Sequence, residues 1–388
     1  MWIICPTRWW PAMVQVCAEF GYELSAARQF YADCASRTGT DAGHALKHAV
    51  LCLSAQHRAN KSRIGGDTAI SADQASTSTK HRSKALHFLR IAAAKDAPAT
   101  HTDSLAAAMV LLILSTALRG ETAIMPTFLS RLGSLLRRCD PDDLSFVPTI
   151  AALHTMYANC HMLSQQVQVN PEHLAPYKTS QPVWDRRTED VIETVLGMKR
   201  AVLELLIQAN NLSLEYRTIS EASRRNPTDD ELAMMLVDSQ SACSSLENEL
   251  SDDTQWAMKH SRDCSARTAL GNKATRIAVR VMLLTDTFGL RPEHPKIIKL
   301  VRDFVEILTA CPSRLEVGLT WPYIIVASHA IDELRSQCAE FISRAQWKGS
   351  AMPALAAELV EEVWQSVDSG RPRHWRDLIR ERGCPMIL

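Results

Sequence analysis

The chain has 388 residues, 46% of them hydrophobic and 22% charged, enough to bury a sizeable core without metals or disulfides. Its 43 basic and 43 acidic residues cancel, which excludes the net positive field that draws proteins onto phosphate backbones or anionic membranes. Only 14 glycines and 6% aromatic residues argue against a turn-rich β-protein and towards helices.

Residues 1–43 read as a lead-in segment. Their apolar start, MWIICPTRWWPAMVQV, lacks a basic beginning and is broken by Pro6, Arg8 and Pro11, so it makes a poor secretion signal. From His44 the run HALKHAVLCLSAQH has helical character. Lys61 to Arg82, Ser/Thr-rich with a Gly-Gly pair, reads as a loop, after which Ser83 is placed to cap SKALHFLRIAAA. The most apolar window, Ser104 to Leu118, follows Thr102 and Asp103 as candidate caps. Its fifteen residues fall short of the roughly twenty that span a bilayer, so it predicts a buried helix and no membrane crossing.

Pro171, Pro176 and Pro182 mark a second loop near 169–187. Beyond it Val191, Val195, Met198, Val202, Leu205, Ala209 and Leu212 advance by fours and threes along one helix face. Ile192, Leu196, Leu203 and Leu206 widen that face beyond a two-stranded coiled-coil seam, which favours burial within a domain. Thr228 and Glu231 form a capping box for a helix running into the 240s. Ile297, Val301, Phe304 and Leu308 follow Pro295, and Leu355, Leu359 and Val363 follow Pro353, each proline standing where a first turn tolerates it. Gly383 is placed to end a short helix from Trp375 to Arg382. With no period-two strands and no fixed repeat, the expectation is an all-α protein. Its architecture is an irregular bundle of helical hairpins in one large helical domain over 44–388, with loops near 61–82 and 169–187.

Chemical motifs are absent. The 11 cysteines include no C-x-x-C pair and suit reduced core thiols better than a disulfide framework. Only His44 and His48 stand at i, i+4, and no Cys or Glu completes a zinc site nearby, so no metal is expected. There is no G-x-S-x-G elbow, Cys384 lacks an identifiable base, and GNKAT at Gly271 lacks the glycines of a phosphate loop. Acidic pairs such as Asp142-Asp143, Asp229-Asp230, Asp252-Asp253 and Glu361-Glu362 point about 100° apart on a helix and suit helix starts better than a catalytic dyad. No catalytic residue, metal ligand or cofactor is therefore assigned. An enzyme would need a site assembled from distant residues such as His154, His161 and Asp286.

One ordered pattern stands out near the C-terminus: TWPYIIVASHAIDELRSQC, then ELVEEVWQSVDSG, then HWRDLIRERGCPMIL. Upstream lie HALKHAVLCLSAQHRANKS, KALHFLRIAAA, DSLAAAMVLLILSTALRGE and FLSRLGSLLRR. That order resembles the fungal-specific transcription factor domain of zinc-cluster regulators, from about residue 44 to the end. Its carriers are Trp321, Pro322, Arg335, Trp364 and Trp375, with the tryptophans expected as packing anchors. The resemblance implies a nuclear transcription regulator, not an enzyme, controlling a metabolic or biosynthetic pathway. It would act through protein partners, with a small-molecule effector or a homodimer as further options. The family's six-cysteine zinc cluster has no counterpart in this sequence, so specific DNA binding by this chain alone is not expected. The alternative is a helical scaffold or small-molecule-binding protein that shares the fold without regulating transcription.

Overall fold

The computed structural model describes residues 39–94, 99–121, 197–260, 264–311, 319–346 and 352–382, with isolated positions between 124 and 134. These are all-α: no strand occurs among the described residues. The chain gathers into two compact units, Met1–Val195 with Ala345–Leu355 and Ile379–Ile387, and Leu196–Arg344 with Ala356–Leu378 and Leu388. The loop expected near 169–187 and the candidate Gly383 stop lie outside the described residues.

In the first unit α1 (Asp41–Ile64) is capped by Thr40, whose Oγ1 accepts the Gly43 N–H at 3.0 Å. Ala42, Ala45, Ala49, Ala55 and Ala59 are buried, and such small side chains let neighbouring helices approach closely. The loop expected at 61–82 is instead helical apart from a tight turn, because α2 (Thr68–Ala94) begins only three residues after α1. Asp67 supplies the missing cap, its Oδ1 accepting the Ile70 N–H at 3.0 Å. The Ser/Thr run stays helical by bonding inward: Thr79 Oγ1 donates to Ala75 O, and Ser83 Oγ to Thr79 O. Fully buried Ser78 donates across to Cys52 O at 2.9 Å. Ser83 is thus an interior residue, not a cap.

The third helix of this unit, α3 (Ala99–Arg119), starts ahead of Thr102 and Asp103, so neither caps it. Its run from Leu105 to Ile113 is buried, as its apolar sequence requires. No helix among the described residues is long and apolar enough to cross a membrane.

His44 and His48 face α2, where both stack on Phe88, with ring centroids 5.0 and 5.8 Å apart. His48 Nδ1 lies 2.9 Å from His81 Nδ1, so one nitrogen donates and the other accepts, an arrangement lost when both rings are protonated. Burial first, then His81, Lys84, Lys47 and His44, lowers His48 to about 4 from 6.5. A lowered histidine favours the protonated unfolded chain, so its contribution is complete above 6.5 and declines as pH falls towards 4. Thermal midpoints measured across that interval should fall for the native chain and fall less for His48→Gln. An equal slope in both would reject this origin for the pH dependence.

The second unit is organised around α7 (Ala266–Asp286), which packs against α4 (Arg200–Arg225), α5 (Asp230–Ser251), α8 (Pro295–Ala310) and α9 (Thr320–Ala327). Asp253–His260 forms the short α6 beside α5. Glu333–Gln346 forms α10, Met352–Asp368 forms α11 and Trp375–Arg382 forms α12, the last with the bounds expected; of these helices the parts up to Arg344, from Ala356 and up to Leu378 belong to this unit. The stripe read from Val191 does not continue as one helix: the chain bends at Gly197, which has φ +67°, and α4 starts at Arg200. Among the described residues its buried face is Val202, Leu206, Ala209, Asn210, Ser213 and Ile219, turning two polar groups inward where Leu205 and Leu212 were expected. The cap of α5 is Asp229, one residue after Thr228, its Oδ1 accepting Glu231 and Leu232 N–H groups at 3.1 Å. By contrast α8 begins at Pro295 and buries Ile297, Val301, Phe304 and Leu308 as its spacing requires.

Gly271 explains its own identity. An added Cβ would lie 1.9 Å from Gly197 O and 2.9 Å from Gly197 C, so α7 touches the bent backbone there. The adjacent Asn272 side chain pins the contact, accepting from Lys199 N at 2.8 Å and donating to His260 O at 2.8 Å.

Candidate functional site

The terminal motif is positioned by a tight exit from α11. Gly370, at φ +73°, allows its own N–H to reach Val367 O at 3.0 Å while Arg371 N–H reaches Ser366 O at 2.9 Å, a glycine-terminated helix stop. Ser366 Oγ then accepts the Arg373 N–H at 3.0 Å, which aims the chain into α12.

His374 caps that helix, its Nδ1 accepting the Arg376 N–H at 3.2 Å. This fixes the tautomer: the proton is on Nε2, which donates to Asp286 Oδ1 at 2.9 Å. Arg376 Nε donates to Asp286 Oδ2 at 3.0 Å, and Nη1 to Asn210 Oδ1 at 3.1 Å. Ser213 Oγ completes the carboxylate's shell at 2.8 Å. The guanidinium also lies 4.4 Å from the centre of the Trp375 ring.

The Asp286 and Arg376 side chains are 0% and 1% exposed. Asp286 closes α7, where the helix dipole disfavours a negative charge, so the buried cation is needed on that ground too. Burial pushes the Asp286 carboxyl up, but the Arg376 charge and the bonds from His374 and Ser213 outweigh it and hold it well below the usual carboxylate range. His329, half-buried and bonded through Nδ1 to Ile325 O at 2.8 Å, senses both Asp286 and His374 and is lowered chiefly by desolvation.

Serine, histidine and aspartate meet here, yet the order is wrong for nucleophilic catalysis. A nucleophile needs its hydroxyl on the imidazole; here Ser213 is bonded to the carboxylate, and the second histidine nitrogen is occupied by Arg376 N–H. The arrangement can hold α4, α7 and α12 together, but it does not present a base to Ser213.

The other motif residues gather elsewhere in the same unit. Trp321 and Pro322 are buried in the first turn of α9. Trp364 Nε1 donates to Ala327 O at 2.7 Å, tying α11 to the end of α9. Arg335 donates through Nε to Ala330 O at 3.1 Å and through Nη1 to both Asp368 oxygens at 2.9 and 2.8 Å, while lying 5.6 Å from the Trp364 ring centre. Trp375 is buried beside Arg376, separate from these contacts. The indole N–H groups of Trp321 and Trp375 meet no acceptor among the described residues, whereas that of Trp364 does.

Sequence reading missed Asn210, Ser213, His374 and Arg376 as one site. It named Asp286 only with His154 and His161, which lie outside the described residues. Among the described residues no group of three or more His, Cys, Asp or Glu side chains could hold a metal ion.

Comparison with family sequence models gives a match to the fungal specific transcription factor domain over residues 22–388. The match starts inside the lead-in expected at 1–43 and spans both compact units. No curated protein and no solved structure matches the chain.

Proposed function

The chain belongs to the fungal specific transcription factor domain family, and on that premise we propose that it is the regulatory body of a nuclear transcription regulator controlling one metabolic or biosynthetic pathway. The family match over residues 22–388 carries the proposal. The buried Asp286 network supports it, since the Asp286 carboxylate is taken up by Arg376, His374 and Ser213 in packing α4, α7 and α12 together.

In this reading the chain works through protein partners, either the transcription machinery or a DNA-bound regulator. Self-association and a small-molecule effector are further inputs to the same proposal. With no C-x-x-C pair and a formal net charge of +0, these residues are not assigned promoter selection.

Two readouts test the proposal in the source organism: the location of a fluorescent fusion of the full chain, and the transcripts of a deletion strain. Nuclear signal and a coherent change in the genes of one pathway are expected. A fusion excluded from the nucleus, together with an unchanged transcript profile, would contradict regulation and favour a helical scaffold or small-molecule binder.

A further inference from the structure

The stretch from Asn226 to Met258 contains eight carboxylates, at 229, 230, 231, 238, 247, 249, 252 and 253, and no lysine or arginine, within a chain of zero formal net charge. Five have local roles. Glu247 pairs with Arg280 at 2.9 Å, Glu249 with Lys259 at 2.8 Å and Asp253 with Arg276, while Asp229 and Asp252 accept backbone N–H groups at helix starts. Asp230, Glu231 and Asp238 remain exposed and pair with no cation among the described residues.

Those three flank an apolar surface. Met234 is 67% exposed, Val237 64% and Met235 44%, all in the first half of α5. The buried face of this helix is Ser239, Cys243, Leu246, Glu247 and Leu250. At 100° per residue Met234 points directly away from Cys243, and Asp230, Met234 and Val237 follow the i, i+4, i+7 spacing of one outward face. Thus α5 carries exposed apolar side chains, interleaved with carboxylates, opposite the face that it buries within its own unit.

We propose that this outward face of α5 is a docking surface for a protein partner that presents an apolar surface rimmed by lysine or arginine. Charge selects that occupant. A second copy meeting the same face across a two-fold axis would set acid against acid, and DNA or an anionic membrane is repelled for the same reason. A cationic rim pairs with Asp230, Glu231 and Asp238, while Met234 and Val237 enter the apolar centre, where unbranched methionine adapts its shape.

Neither transcription nor DNA enters this chemistry, so the test stands apart from the functional reading. The probe is a fluorescein-labelled helical peptide with leucines at i, i+4 and i+7 flanked by lysines. Its control has every lysine replaced by glutamate. Anisotropy titrations use the purified full chain, Met234→Ser/Val237→Ser, and Asp230→Asn/Asp238→Asn, each first verified as folded by its unfolding midpoint.

The lysine peptide should bind the native chain and weaken with added salt, and it should lose about tenfold or more in affinity with the double-serine variant. It should also weaken with Asp230→Asn/Asp238→Asn, while the glutamate peptide does not bind. Equal affinity for the native and double-serine chains, or equal binding of the two peptides, would overturn the proposal. So would a sedimentation result in which the double-serine change converts a dimer to a monomer, because a second copy would then be the occupant.

Discussion

Replacing Arg376 with methionine should lower the folding stability of the second unit by about 3–5 kcal/mol, the range seen when one partner of a buried ion pair is removed. Methionine fills much of the space and keeps contact with Trp375, so the loss comes from Asp286, left fully buried with only His374 and Ser213 as donors. For a domain of this size that corresponds to a thermal midpoint lower by roughly 10 °C. Asp286→Asn tests the other side, stranding a buried guanidinium whose Nη2 already meets no acceptor among the described residues.

The pH dependence has a definite sign. Because the folded carboxyl is held below the usual range, its contribution is complete above the unfolded value, about 3.9, and is lost as pH falls below it. Acid unfolding curves of the native chain should therefore carry a steep component below pH about 4 that Asp286→Asn lacks. A variant as stable as the native chain at neutral pH, or an unaltered acid limb, would show that the pair does not hold the unit.

The second large effect is at Gly271. Alanine for glycine inside a helix ordinarily stabilises by about 0.5–1 kcal/mol. Here the sign should reverse, because the new Cβ would stand 1.9 Å from a backbone oxygen with no flexible side chain to move aside. The bent segment must shift, loosening the bonds from Asn272 to Lys199 N and His260 O, and a cost of about 1–3 kcal/mol or more is expected. Denaturant titration of Gly271→Ala measures it directly. A midpoint equal to or above that of the native chain would mean that α7 does not approach Gly197 closely.

These two sites mark where the sequence was legible and where it was not. A helix such as α8 could be read because a proline start and an unbroken i, i+4, i+7 apolar series agree with each other. On α2 the Ser/Thr content outweighed the pattern. The signal that could have found it, Gly65-Gly66-Asp67, is a helix stop followed at once by a cap for the next helix.

On α4 the apolar steps from Val191 ran through Gly197, where positive φ ends the register, and the inward positions proved to be Asn210 and Ser213. The terminal tryptophans stand out in the sequence because large indoles seldom stay exposed. The contacts of Arg376 do not, because it meets Asp286 and Asn210 across 90 and 166 residues, and no local spacing encodes such a pair. One sequence cue did exist: Asp286 closes a helix whose preceding positions Val281 to Leu284 are buried, and a carboxylate there must find a cation.

The terminal motif serves as a buried lock, with Trp375-Arg376 drawing α12 onto α4 and α7. A double-mutant cycle on Asp286→Asn and Arg376→Met, read from denaturant unfolding at neutral pH, tests it most directly. The predicted result is a coupling of about 1–3 kcal/mol, the double variant being less damaged than the sum of the singles. Additivity within about 0.5 kcal/mol would contradict the lock.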